Sequence, residues 1–320
     1  MRYTYIDYIK ALCIVLMVVC HWGLKNDVAL TLIYGFHMPM LFMVSGYLYK
    51  KRSVKDEIIS FGIPILFYSV LSIAWSYGFA FFKGSNAETL YEYLSKTIPA
   101  FFIANHGDYH TPFTGIWFIM GLWFVRLFLY NLDINSKYVI VLIVFCIVIT
   151  ETNNLFHYSQ ILSDLYLLKP IQILPYFFLG YYLKKNPPSI RIHSALLVLI
   201  FIVLSLYNGK IYMYYGNFGK MYVIAIAQNI ALFLAFKSLL DLKRNLFVEK
   251  ISIGTFFVLG THSILFPNLV NLGEKFLNSR GGGILIVALI YFLFMVPLIS
   301  VLSNKCPVIL GKVPRCKIVK

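Results

Sequence analysis

Negative charge is scarce in this chain of 320 residues: Asp and Glu total 13 against 28 Lys and Arg. Charge of either sign reaches only 13%, about half the share in an ordinary soluble domain. A water-exposed globule is therefore excluded, because so few polar side chains cannot cover a chain that is 60% hydrophobic. Disorder and collagen-like repeats fall to the same arithmetic. Cysteine is sparse as well. Cys13, Cys20, Cys146, Cys306 and Cys316 form no CxxC pair and no Cys/His metal spacing, so neither a disulfide framework nor a structural metal is expected. No internal repeat or low-complexity tract is present. What abounds is apolar and aromatic: 18% Phe, Trp and Tyr, with a mean hydropathy of +0.77.

Ten stretches approach the roughly 20 apolar residues that a bilayer-crossing helix needs: roughly 6–24, 28–49, 57–82, 113–130, 137–152, 161–183, 191–207, 219–240, 250–270 and 283–303. The predicted fold is all-α, a polytopic membrane protein of about ten transmembrane helices, with 1–320 forming one integral-membrane domain. Pro64, Pro170, Pro175 and Pro297 lie in or beside these stretches, where membrane helices tolerate them. The first stretch is expected to be retained: it contains Asp7, Lys10 and His21, and no small-x-small cleavage site follows it. The long connection 83–112 carries Lys83, Glu88, Glu92, Lys96, His106, Asp108 and His110, and 88–102 reads as an amphipathic surface helix.

Ten crossings put both termini on one side. Alternate connections then hold 19 Lys and Arg on that side, Arg126 among them, and 7 on the other. Lys10 and Lys169 fall within the stretches and complete the count. Positive residues are retained in the cytoplasm, so both termini are predicted to be cytoplasmic and the protein to sit in a cell membrane; the same bias accounts for a pI near 9.5, and nucleic acid is not an expected partner.

Ionisable groups inside a span are costly and mark candidate functional positions. Lys10 and His21 are eleven helical steps apart, about 20° beyond three full turns, so they share a face about 16 Å apart along the axis. Asp7 is three residues before Lys10, close enough to pair with it. In the second stretch Pro39 releases a carbonyl one turn back, near His37. A histidine at such a break suits a hydrated cavity better than a lipid-facing surface. Ser45 and Gly46 read first as small residues for close helix packing. Trp117 opens the fourth stretch, and His262 lies near the middle of the ninth. Three histidines from separate stretches at similar depth are expected to converge.

The segments Lys10 to His21 and Phe36-His37-Met38-Pro39-Met40-Leu41-Phe42-Met43-Val44-Ser45-Gly46 resemble the first two helices of the integral-membrane acyltransferase 3 family. That family has a basic residue, ten intervening residues and a histidine, then an FHMPLFFxxSG pattern. Ile116-Trp117-Phe118, Leu174-Pro175-Tyr176-Phe177-Phe178-Leu179-Gly180 and the segment around His262 are similar to its later, less specific motifs. The nearest subgroup by pattern is the fucose 4-O-acetylase-related proteins. One departure is evident. The family's arginines before the third-helix proline are replaced here by Lys55-Asp56-Glu57.

The resemblance implies transfer of an acetyl group from acetyl-CoA, a co-substrate and not a resident cofactor, to a hydroxyl of a cell-surface or lipid-linked glycan. His21 is then the expected general base or acyl relay. His37 would orient the acceptor or hold the oxyanion, with Asp7 steadying Lys10. Lys10, Lys50, Lys51 and Arg52 would attract the donor phosphates, and Trp117, His262 and Ser45 are candidates for substrate contact. A succinyl donor fits the same residues. A polytopic glycan transporter or flippase is the rival of another class, opposed by the lack of an inverted repeat and by the small number of acidic residues within the spans that could couple ions. No HxxxxD motif of other acyltransferases occurs.

Overall fold

The computed structural model describes residues 3–21, 26–82, 89–103, 113, 115–156, 164–188, 192–239, 242–264, 270 and 280–313. Among them regular structure is helical, relieved only by two isolated β-bridges, Ile103 with Leu165 and Tyr212 with Asn217. The helices are α1 (Thr4–His21), α2 (Asp27–Tyr34), α3 (His37–Tyr47), α4 (Val54–Glu57), α5 (Ile63–Phe82), α6 (Leu90–Thr97) and α7 (Ile116–Tyr130). They continue as α8 (Lys137–Phe156), α9 (Lys169–Lys185), α10 (Ser194–Asn208), α11 (Tyr222–Ser238), α12 (Leu246–Ile253), α13 (Thr255–Ile264) and α14 (Arg280–Lys305). Trp22, Lys25, Lys83, Glu88, His106, Asp108, His110 and Cys316 lie outside the described residues.

By length and composition, five segments can cross a membrane: Thr4–His21, Asp27–Tyr47, Val54–Gly78, Lys137–Phe156 and Ile286–Lys305. Ile116–Tyr130, Ser194–Asn208, Tyr222–Ser238 and Thr255–Ile264 are shorter apolar helices. This is a membrane protein. Its outward faces are apolar, as Val141, Val144, Phe145 and Val148 on α8 and Ile290, Leu293 and Phe294 on α14 illustrate. Inside connection 83–112 the amphipathic helix is α6, started by a capping box in which Thr89 and Glu92 satisfy each other's backbone N–H groups.

Two of the expected stretches are broken helices. The ninth is interrupted at Gly254, between α12 and α13. The second divides at Gly35 and Phe36, between α2 and α3, and the cause is chemical. Pro39 sits in the first turn of α3, where a missing N–H is harmless. It therefore has no donor for the Gly35 carbonyl four residues back. That carbonyl instead accepts from Gln228 Nε2 at 2.7 Å and Asn229 Nδ2 at 3.0 Å, both buried on α11. Pro64 has a comparable effect. It cannot bond Ser60, and α4 passes into α5 through a π-helical turn over Ile58–Gly62.

The tightest seam joins α3 to α9. A Cβ on Gly46 would strike the Phe177 carbonyl, and one on Gly180 would strike the Met43 carbonyl. The two backbones meet at reciprocal glycines, leaving no side chain that can give way. Gly180→Ala is therefore expected to destabilise the protein by about 3 kcal/mol, the upper range for overpacking, read as a lower melting temperature in detergent. An unchanged melting temperature would contradict this seam.

Candidate active site

At the end of the bundle where α1 finishes, helices from distant parts of the chain enclose a cavity of about 430 Å³. α1 contributes Met17 and His21, the α2–α3 break contributes Tyr34, His37 and Met38, and α13 contributes Leu259 and His262. Gly115 allows α7 to begin against α13, since a Cβ there would lie 2.8 Å from the Leu259 carbonyl. Trp117 thereby joins the same wall. The three histidines thus meet. His37 and His262 are 2% and 0% exposed, while His21, at the last position of α1, is exposed.

The hydrogen bonds fix which nitrogen of each ring carries the proton. A carbonyl only accepts, so His262 Nδ1, at 3.1 Å from the carbonyls of both Val258 and Leu259, is the N–H. In the neutral ring its Nε2 is then a lone pair. That lone pair faces His21 Nδ1 at 3.4 Å, which makes His21 Nδ1 the donor and leaves His21 Nε2 as the basic nitrogen. His37 follows the same logic: Nδ1 donates to the Ile33 carbonyl at 2.8 Å, and Nε2 is basic. A neutral His37 therefore suits accepting a hydroxyl proton better than donating to an oxyanion.

A second cavity, of about 190 Å³, lies toward the opposite end of α1 and is lined by Lys10, Ser45, Arg52 and Arg126 among others. Arg126 lies within α7, although its charge reads from sequence as part of a connection. Its guanidinium forms a bidentate pair with Glu57, at 2.8 Å from Nε and 2.6 Å from Nη2, and donates to the Lys50 carbonyl at 3.2 Å. The departure at Lys55-Asp56-Glu57 thus has a structural counterpart: Glu57 is the buried partner of an arginine from another helix. Arg52 reaches Ser60 Oγ at 3.1 Å.

The expected grouping is divided in three respects. Ser45 lies with Lys10 and Arg52, apart from Trp117 and His262, because it is two turns beyond His37 on α3. Lys50 and Lys51 line a separate surface cavity with Tyr49, Asp133 and Tyr181, since the chain has left α3 by then and turns outward. Asp7 is in the first turn of α1 and accepts from Ser252 Oγ at 2.7 Å. Fourteen helical residues, about 21 Å, separate it from His21, so it does not touch the histidine cavity.

The two cavities share walls. Trp117 lines one and Phe118 the other; Met38 and Leu41 divide in the same way, as do Leu259 and Phe256. Positions three apart on a helix differ by about 4.5 Å along its axis, and on α1 the nearest lining residues, Met17 and Lys10, are seven apart, about 10.5 Å, so the septum is one to two turns thick. Buried Phe42 and Phe118 stack beside it with centroids 4.5 Å apart.

Sequence reasoning missed several contributors. Gln228 and Asn229 were signalled only by polarity inside an apolar stretch. Lys169, 1% exposed, donates to the carbonyls of Tyr214 at 2.7 Å and Met213 at 3.3 Å. The connection that carries Ile211 to Tyr215 into the histidine cavity had no signal beyond its tyrosines. Among the described residues, no cluster of His, Cys, Asp and Glu is arranged to hold a metal.

A family model described as an acyltransferase domain, acyltransferase 3, matches residues 3–304. The chain belongs to the acyltransferase 3 family. It is a membrane acyltransferase. No curated protein and no solved structure gives a significant match. In this acyltransferase the His262→Phe variant, which removes the partner that orients His21, is expected to lower kcat about 100-fold with little change in donor KM. An unaltered kcat would rule out that orienting role. Glu57→Gln, which strands Arg126, is expected to cost about 3 kcal/mol, measured by thermal unfolding.

Proposed function

We propose that this acyltransferase moves an acetyl group from acetyl-CoA to a hydroxyl of a cell-surface or lipid-linked glycan. The observation that carries the reading is the back-to-back arrangement: a basic cavity and a three-histidine cavity on one set of helices, one to two turns apart. The distribution of Lys and Arg favours about ten crossings with both termini cytoplasmic, which puts the basic cavity on the side where acetyl-CoA is found. Lys10 and Arg52 attract the donor phosphates there, and Ser45 lines the path. Lys50 and Lys51 act from the neighbouring surface, outside the cavity.

The acceptor hydroxyl enters the histidine cavity. His21 Nε2 takes its proton as the oxygen attacks the thioester carbonyl carbon. The carbon–sulfur bond then breaks, and the departing CoA thiolate recovers the proton from His21. His37 Nε2 accepts from a neighbouring hydroxyl and orients the acceptor, and Trp117 provides a face for it. None of the described residues lining this cavity is Lys or Arg, which favours an uncharged acetyl group over a succinyl one. For the carbonyl to reach His21, the thin septum beside Phe42 and Phe118 has to open.

The experiment is CoA release from acetyl-CoA by the purified chain in detergent. An enzyme turns over, whereas a glycan flippase does not. His21→Ala is expected to lower kcat by about 10²- to 10⁴-fold in properly inserted protein. Retained transfer would remove His21 as the base. Lys10→Ala is expected to raise the KM for acetyl-CoA about tenfold at unchanged protein level; equal activity at low donor concentration would count against it.

A further inference from the structure

The connection between α10 and α11 is an irregular loop at the end of an apolar bundle, yet it is held from many sides. Asn208 donates to the Phe218 carbonyl at 2.8 Å and accepts from Met221 N–H at 2.8 Å. Asn154 of α8 accepts from Phe218 N–H at 2.9 Å and donates to the Gly219 carbonyl at 3.2 Å. Glu151 accepts from Tyr222 N–H at 2.5 Å, at the start of α11. Lys210 pairs with Asp27 of α2 at 2.8 Å, and that carboxylate holds its amine above the usual range. Gly209, Gly216 and Gly219 adopt positive φ where the chain folds back on itself.

The most costly of these anchors is Lys169. Burying an ammonium is unfavourable unless its hydrogen bonds are needed. Its Nζ donates to the carbonyls of Met213 and Tyr214 and stands 6.0 Å from the ring centre of Trp117. The outcome is a fixed aromatic wall. Tyr212 lies 5.0 Å from Tyr34, and Tyr214 lies 6.0 Å from Trp117, centroid to centroid. This wall lines the same cavity as His21 and His37.

We infer that loop 209–221 is the acceptor-reading element of the site, that its ligand is a pyranose ring, and that Lys169 is the positioning residue that braces it. The inference rests on the acyl-transfer reading above. Rigid rings bury apolar area at little entropic cost. A pyranose presents a C–H face to such a wall while its hydroxyls at the edge reach the basic nitrogens. A small flexible alcohol gains nothing from the wall. The loop therefore discriminates by ring contact, and the histidines supply the chemistry.

The test uses the whole purified chain with acetyl-CoA and two kinds of acceptor: glycerol, and a panel of methyl pyranosides. Wild-type protein is expected to prefer at least one pyranoside over glycerol by about tenfold or more in kcat/KM. Lys169→Met is expected to reduce that preference about tenfold, through a higher pyranoside KM and with kcat changed less than about twofold. If Lys169→Met does not assemble, Tyr214→Leu reads the same ratio with the brace intact. Wild-type protein that releases CoA but prefers no pyranoside overturns the inference, as does an assembled Lys169→Met protein that keeps the full preference. Wild-type protein that releases no CoA defeats the acyl-transfer reading itself, and this inference with it.

Discussion

The site depends on one carbonyl oxygen. Proline at position 39 leaves the Gly35 carbonyl without its helical donor, and in an apolar bundle an unsatisfied carbonyl costs several kcal/mol. Gln228 and Asn229 supply the missing donors from α11. The second crossing can then be discontinuous, and the His37 ring turns to the Ile33 carbonyl just behind the break. Without that side-chain pair, the break would be a defect. With it, an imidazole is held open toward the cavity with its proton on a known nitrogen. Asn229 also bonds the Ala225 carbonyl of its own helix at 2.8 Å, so the donor is itself held.

The rest of the bundle serves to keep such groups in register. The reciprocal glycines of α3 and α9 lock the crossing that carries His37 and Ser45. Glu57 and Arg126 tie the approach to α5 against α7, so the helix that presents Trp117 at one end is anchored by a buried charge pair at the other. Tyr68, packed against Gly260 on α13, donates to the Ile309 carbonyl at 2.8 Å and draws the C-terminal turn over the basic cavity. The charged groups buried at these joints are few, and Glu57, Arg126 and Lys169 each have a hydrogen-bonded partner. That economy follows from the solvent: lipid offers no alternative hydrogen bonds.

Much of this was legible in the sequence where the signal was local. Helical periodicity put Lys10 and His21 on one face of the first helix, and the FHMP segment announced the break that lies beside His37. Length and hydropathy announced apolar helices, five of which are long enough to cross a membrane. The unread part was relational. Nothing near Gly35 names Gln228, nearly two hundred residues later, as its partner. Arg126 was counted with the connections and Glu57 stood at the start of a stretch, and neither pointed to the other, because periodicity assigns a face without saying what lies against it. The basic run Lys50, Lys51 and Arg52 looked like one cluster, but the chain turns sharply after α3 and sends its members to different cavities. Lys169 was visible as an anomaly within an apolar stretch, and its purpose emerged only once the 213–215 turn was seen above it.

The thin septum between the two cavities has a physiological implication of its own. A continuous wet shaft through a bilayer would let protons run down the electrochemical gradient, at about 2.3 kcal/mol per charge for each 100 mV. Stacked Phe42 and Phe118 put buried apolar rings beside the barrier. Two separate cavities on the same helices avoid such a shaft, so polar groups can be set at both ends of one bundle without being joined by water.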